Sequence, residues 1–346
     1  MVSNLTIKLL EWYDKEKRIL PWRKKGKKKN IPYNVWISEV MLQQTTVNSV
    51  IDKYKRFIFK FPNVKILAEA SLEEVLEEWA GLGYYSRARN LHASARLIES
   101  KYNGIIPSEK EQLINLPGVG EYTAEAIRAI AYNKCSLPID VNVERVITRL
   151  FKIYNDKNFK EKIKKNTFPL IPNDRVGDFM EALMDLGSLV CKRINPRCNK
   201  CPLKLNCKGH LDGAIEVFIK KNKVKDTRKG KCYVIRRLVD NKLLFFRNPP
   251  RGLLGGMLLF PTYGWLKNSH EDYLKKNILK CIKKLNNKEY KKTIFHEFSH
   301  FKLELKIYYL EANSLQLSYG EWISADRARR QLPTLMKKVA DEIIDN

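Results

Sequence analysis

Four cysteines, Cys191, Cys198, Cys201 and Cys207, fall within seventeen residues with the spacing C-x6-C-x2-C-x5-C. Thiolates this close can converge on one metal centre, and "NPRCNKCPLKLNC" supplies the tight turns that this requires. Zinc ribbons usually employ two separated C-x2-C knuckles. A single compact loop with one C-x2-C suits a four-thiolate iron–sulfur cluster better, with zinc the second reading. Unligated cysteines come third, because Lys, Arg and Asn interleave the four. Lys192, Arg193, Arg197, Lys200, Lys204 and Lys208 crowd the same loop and suit it to phosphate. Cys135, Cys232 and Cys281 lack partners at ligand spacing and read as core or surface filler. "GLGYY" is too short for a dinucleotide loop and no flavin or nicotinamide motif lies nearby, so the cluster's role reads as structural.

A chain of 346 residues is too long for one core, so two domains are expected. Lys and Arg number 65 against 38 Asp and Glu, a net charge of +27 that attracts polyanions, nucleic acid above all. A Lys-heavy proteome or a sticky membrane-surface protein would give the same imbalance. The N-terminus mixes charged and apolar residues at helical spacing and has no signal-peptide pattern, and no apolar run approaches a membrane span. A soluble, intracellular protein without structural disulfides is the expectation.

Helical periodicity runs from the start to about residue 210, with Pro and Gly between segments such as "SLEEVLEEWAGLG", "YTAEAIRAIAYN" and "VGDFMEALMDLGSLV". Ser71 is the expected N-cap of the first of these. A basic, weakly periodic stretch follows ("EVFIKKNKVKDTRKGK"). The pattern then turns β-rich, with a hairpin predicted about Asp240-Asn241, a strand-like run in "HEFSHFKLELKIYYLEA" and a helix in "EDYLKKNILKCIKKLNN". The expected architecture is an all-α domain over 1–211 including the cysteine loop (191–207), a basic linker over 212–230, and an α+β domain over 231–346 with a mainly antiparallel sheet. The Lys-rich "KKGKKK" (24–29) reads as a solvated loop.

Two places carry candidate chemistry. In "NLPGVGEYTAEAIRAIA", Gly118 and Gly120 precede a helix, and glycine there lets backbone N–H groups face an anion such as a phosphodiester. The same motif is also an ordinary helix–helix turn. In "LPIDVNVERV", Asp140 precedes a helical run and is either an N-cap or a carboxylate aimed at whatever the hairpin holds. "VWISEVMLQQTT" adds a lone acid, Glu39, inside an apolar stretch, where ionisation is costly.

Together the hairpin, Asp140 and the cysteine loop resemble the endonuclease III superfamily of helix-hairpin-helix DNA glycosylases. "LPWR", "PYNVWISEVMLQQT", "GLGYYSRARNLH", "LPGVGEYTA" and "EALMDLGSLVC" are similar to its MutY branch, the adenine glycosylases. "GLLGGMLLFP" and "HEFSHF" extend the likeness to that branch's Nudix-like C-terminal domain, which reads 8-oxoguanine opposite the adenine.

The resemblance implies a [4Fe-4S] cluster on the four cysteines. It implies a monomeric, cytoplasmic, nucleoid-associated enzyme acting on double-stranded DNA with an adenine:8-oxoguanine or adenine:guanine mispair. It makes Glu39 the general acid that protonates adenine N7, and Asp140, with Asn142 beside it, the carboxylate that stabilises the cationic sugar. Tyr122 stands where strand-cleaving relatives carry a nucleophilic lysine, which implies a monofunctional enzyme using water. Gln44 and Tyr84 would enter the duplex and Arg23 and Glu181 would line the adenine pocket. Phe298, Ser299 and His300 would check the opposite base.

Two departures stand out. Val141 replaces the glycine of the usual Asp-Gly-Asn, where a positive φ would be strained. The Lys-rich loop after Arg23 is also about four residues longer than usual. The rivals are a thymine or uracil mismatch glycosylase, a Nudix hydrolase and a non-catalytic iron–sulfur DNA-binding protein. "QQT" and "FSH" speak against the first, and the missing Glu-rich helix after Gly255-Gly256 against the second. The third has no need of Glu39 and Asp140 together.

Overall fold

The computed structural model describes residues 3–23, 30–213, 215, 225–249, 252–266, 289–298, 300–312 and 320–344. The Lys-rich loop 24–29, Cys281, Ser299 and the helix expected within 271–287 lie outside the described residues. The chain divides into two compact units, residues 1–70 with 90–221 and residues 71–89 with 222–346.

Among the described residues the region before 213 is helical, in the order α1 (Asn4–Glu16), α2 (Pro32–Leu42), α3 (Val47–Lys60), α4 (Val64–Glu69), α5 (Leu72–Glu78), α6 (Ser86–Tyr102), α7 (Lys110–Ile114), α8 (Glu121–Ala126), α9 (Val141–Phe151), α10 (Phe159–Thr167), α11 (Val176–Leu189) and α12 (Lys208–Leu211). Ser71 caps α5 in a reciprocal capping box with Glu74. Two helices are apolar nearly all round and are therefore buried. One is α2, entered at Pro32, and the other is α11, which buries every residue from Val176 to Gly187. Both nonetheless carry acids, Glu39 on α2 and Asp178, Glu181 and Asp185 on α11, and these are buried too. α9 packs closely on α11: a Cβ at Gly187 would stand 2.6 Å from that of Asn142. α8 runs on into a π-helical turn over Ile127–Ala131.

The α7–α8 hairpin closes through Val119 N donating to Leu116 O (3.1 Å) and Ser94 Oγ to Pro117 O (2.7 Å). Gly118 has φ +78° and lies against Asn90, so it meets the expectation for glycine. Gly120 does not. Its backbone is extended (φ −89°, ψ −179°), and a Cβ there would meet nothing within 4 Å.

The second unit holds a seven-stranded sheet of order β3-β2-β1-β6-β5, with β4 on β1 and β7 on β2. Its strands are β1 (Asp226–Arg237), β2 (Lys242–Arg247), β3 (Leu258–Leu259), β4 (Thr262–Tyr263), β5 (Glu289–Glu297), β6 (Phe301–Ala312) and β7 (Glu321–Ile323). Only β1 and β6 pair in parallel among the described strands, in line with the expected sheet. The β1–β2 hairpin turns at Asp240-Asn241, with Asn241 at φ 55°. β1 begins inside the stretch expected to be linker, because Asp226–Gly230 satisfy their backbone against Phe301–Leu305. Helices α13 (Ala325–Gln331) and α14 (Thr334–Ile344) cover one sheet face with Leu335, Met336 and Val339.

The two hairpin glycines should separate in stability measurements. Gly118→Ala is expected to cost about 1–3 kcal/mol, from its positive φ and the 2.8 Å approach to Asn90. Gly120→Ala should stay within about 0.5 kcal/mol of the parent, since its backbone and surroundings accept a methyl group. Urea unfolding of the two variants side by side checks this.

Candidate active site

Glu39 lies 7% exposed on α2, against a cavity of about 50 Å3 walled by Leu20, Trp22, Val35, Leu42 and Met184. Burial pushes its carboxyl up to about 7 from an ordinary 4.5. A hydrogen bond from Tyr122 and the Arg23 guanidinium pull the other way; Asp140 and Glu181 add to the rise. The Tyr122 hydroxyl, from α8, is itself held far above the usual phenol range, so it remains a donor. Glu39 is thus a carboxylic acid that keeps a large share of its proton near neutrality, and Tyr122 orients it. That bond was not legible in the sequence.

Asp140 caps α9, and both expectations for it are compatible. Its Oδ1 accepts from Asn142 N (2.9 Å) and Val143 N (2.7 Å), and Oδ2 from Asn142 Nδ2 (2.8 Å). A further bond runs from Arg145 Nη2 to Asn142 Oδ1 (2.7 Å), while Arg145 Nε donates to Cys191 O (2.7 Å) and Nη2 to Gly187 O (2.7 Å). Val141 opens α9 in helical conformation and is not among the positive-φ residues, so the strain that a valine would suffer there does not arise. Its side chain is 72% exposed.

The opposite wall of the cavity is charged. Arg23 holds Asp185 with two bonds (2.6 and 3.0 Å) and places Nε 3.4 Å from Glu181, and both Arg23 and Glu181 line this cavity. Tyr13 donates to the second oxygen of Glu181. Tyr13, Arg18 and Asp185 were missed in the sequence. The available signal was Asp185, four residues after Glu181 and so on the same face of α11.

Cys191, Cys198, Cys201 and Cys207 line one small cavity with Val190, Pro196 and Ile215. Among the described residues no three His, Cys, Asp or Glu side chains are placed to hold a single metal ion. The four thiols share one cavity, a donor set of the kind that holds an iron–sulfur cluster. Burial pushes the Cys201 thiol up to about 12, so a bound metal would have to displace its proton. Arg149, 2% exposed, clamps the loop by donating to Lys192 O (2.7 Å), Arg193 O (3.0 Å) and Cys191 Sγ (3.4 Å).

Gln44 follows α2 with an exposed side chain and φ 56°. In the second unit Tyr84, 42% exposed, has φ 47°. Left-handed backbone at bulky residues is uncommon and clusters at binding sites. Tyr84, Phe298 and His300 line one cavity of about 570 Å3, with Gly252–Gly255 as another wall. Phe298 N donates to Phe301 O (2.9 Å) across the β5–β6 turn, and the Phe298 ring stacks on Trp265 and Phe301. The cavity thus has an aromatic floor. Arg89 Nη2 holds its glycine wall through Gly255 O (2.6 Å).

Residues 37–169 match the HhH-GPD superfamily of base excision DNA repair proteins, and residues 232–342 match the NUDIX domain. The chain is 37% identical over 303 residues to the adenine DNA glycosylase of Buchnera aphidicola subsp. Baizongia pistaciae, covering 87% of this chain and 83% of that one. It is 33% identical over 359 residues to the adenine DNA glycosylase of Homo sapiens, covering 87% and 65% respectively. Among solved structures it is similar to a thermostable thymine-DNA glycosylase (TM-score 0.54, 27% identity, 60% of this chain and 95% of that chain). It is also similar to endonuclease III trapped in a covalent intermediate with DNA (TM-score 0.51, 25% identity, 60% and 95%).

Two measurements follow from the geometry. The raised Glu39 value means that the folded state keeps a proton that the unfolded state loses, so folding weakens between pH 4.5 and about 7 and is flat above. Glu39→Gln should therefore unfold later than the parent at pH 8, by as much as about 3 kcal/mol, and equally at pH 4, in urea titrations. Cys198→Ser should lose the visible absorbance of an iron–sulfur chromophore; retained absorbance with unchanged iron content would remove Cys198 from the ligand set.

Proposed function

The chain belongs to the adenine DNA glycosylase family of base excision repair, DNA-binding hydrolases of the N-glycosidic bond, and from that premise we propose that it removes adenine paired with 8-oxoguanine or guanine without cutting the strand. The observation that carries the reading is the acid of α2, buried against a small cavity, hydrogen-bonded by Tyr122 and held near neutrality. Adenine leaves poorly as an anion, and protonation at N7 by Glu39 removes that difficulty as the C1′–N9 bond breaks. Asp140, oriented by its three donors, faces the positive charge that develops on the sugar. Water completes the hydrolysis. Tyr122 in place of a lysine leaves no amine for a Schiff base, which supports a monofunctional reaction.

We assign the catalytic part to residues 1–211 and the reading of the opposite base to 231–346, joined by the basic stretch 212–230. Tyr84, Phe298 and His300 meeting at one cavity supports the second assignment. Arg23 and Glu181 present the adenine pocket, Gln44 enters the duplex, and the open space at Gly120 leaves room for a phosphodiester against the hairpin. The four cysteines would hold a [4Fe-4S] cluster. When bound it supplies a covalent tie for the loop, while Arg145 connects that loop to the Asp140 end of α9 and Arg149 to the other end. The enzyme is read as monomeric and acting at the nucleoid.

Single-turnover release from duplexes differing in one pair tests the proposal. Adenine should leave from adenine:8-oxoguanine and adenine:guanine pairs, faster from the former, with strand breaks appearing only after alkali. Release should fall roughly tenfold per pH unit above about 7 as Glu39 ionises, and Glu39→Gln should lose ~10²–10⁴-fold. Thymine release from thymine:guanine, or breaks before alkali, would overturn it.

A further inference from the structure

We propose that Asp185 is a positioning residue for the adenine pocket, holding Arg18 and Arg23 so that a fixed cation can stand beside Glu181 without taking the proton from Glu39. The inference rests on the reading of Glu39 as general acid. A guanidinium is charged at every working pH. One left free in a cavity of about 50 Å3 would ion-pair with the nearest carboxyl, and Glu39 lines that cavity along with Arg18, Arg23 and Glu181. A pocket that needs both an arginine and a protonated acid therefore needs something to occupy the arginine.

Asp185 has the geometry for that task. It is fully buried on α11, and each of its oxygens is used twice. Oδ1 accepts from Arg18 Nε (2.6 Å) and Arg23 Nη2 (3.0 Å), and Oδ2 from Arg18 N (3.0 Å) and Arg23 Nη1 (2.6 Å). Arg23 Nη1 also reaches Arg18 O (3.3 Å), and its Nε is 3.4 Å from Glu181. Most donors of Arg23 are thus directed to α11 or its own loop. The neighbouring Asp178 has separate compensation in Arg175 (2.8 Å). The charged and titratable groups facing Glu39 or lining its cavity are Tyr122 from α8, Asp140 from the start of α9, Glu181 from α11, and Arg18 and Arg23 from the segment after α1. Of these only the two arginines favour ionised Glu39 by their charge, and both are groups that Asp185 restrains.

The test is the pH profile of single-turnover adenine release for the parent, Asp185→Asn, Asp185→Glu and Arg18→Gln. Asp185→Asn removes an anion and frees Arg23, and both effects favour ionised Glu39. Its high-pH limb should move down by about one unit, the order expected for one charge changed in a buried site, so that at pH 8, with each protein scaled to its own acid plateau, the variant releases about tenfold less than the parent. Arg18→Gln removes a cation while Arg23 stays clamped, so its limb should move up. Asp185→Glu should restore the parent limb at least in part. A merely structural role would lower the plateau and leave both limbs in place; that result, or movement of both in one direction, overturns the proposal. If Asp185→Asn does not fold, Arg18→Gln carries the test alone, because its side chain is partly exposed and an unmoved limb there is already contrary. A parent with no high-pH limb, or an active Glu39→Gln, would instead defeat the general-acid reading itself.

Discussion

A carboxyl keeps its proton near pH 7 where burial outweighs the pull of nearby cations, and much of the first unit is arranged around that balance at Glu39. α2 is apolar on nearly every face, so that Glu39 is carried into the interior and left 7% exposed. Tyr122 gives the buried acid one hydrogen bond, which is enough to fix its direction and too little to reverse the effect of burial. The charged wall formed by Arg18, Arg23, Glu181 and Asp185 is paired internally, so its members stay in place. Burying such a network does little for stability compared with apolar packing. Its retention is better understood through what it does to the cavity.

Asp140 presents the opposite electrostatic problem, and the fold meets it with the most local of devices. The amide bonds that start α9 are the same bonds that aim its carboxyl, so capping and positioning are one interaction. Because Asn142 bonds Asp140 and is bonded by Arg145, which also holds Cys191 O, the conformation of the cysteine loop bears on the direction of the acid. Close packing at Gly187 leaves little slack in that chain of contacts. A cluster held by those cysteines would therefore matter mechanically to the reaction proposed at Asp140.

The parts of this arrangement written locally were legible in the sequence. Ser71 as a cap, the Asp240-Asn241 hairpin, the helix before and the sheet after the basic stretch, and the four-cysteine loop all depend on near neighbours. The roles proposed for Glu39, Asp140, Arg23 and Glu181 came from resemblance, since a lone Glu on a helix is usually solvated. Tyr13, Arg18, Asp185 and the Tyr122–Glu39 bond were not legible, because each joins residues from distant segments. Asp185 lies 162 residues from Arg23, and nothing nearby in the chain announces the pair. The start of β1 was misplaced for a related reason: Asp226–Gly230 look like a basic linker until β6 offers a parallel partner 75 residues away.

Val141 shows how far a local departure can be judged. In the family pattern glycine stands there, and a valine suggests strain beside the acid. The structure removes that objection, since Val141 is the first residue of α9 and needs no positive φ. Its carbonyl still accepts from Arg145 (3.1 Å), and its neighbours Asp140 and Asn142 keep their bonds. The fold gives no reason for glycine at this position. With its side chain 72% exposed, any effect of the substitution on the proposed reaction has to come from what that side chain meets outside the protein, such as DNA bound at Asp140 under that proposal.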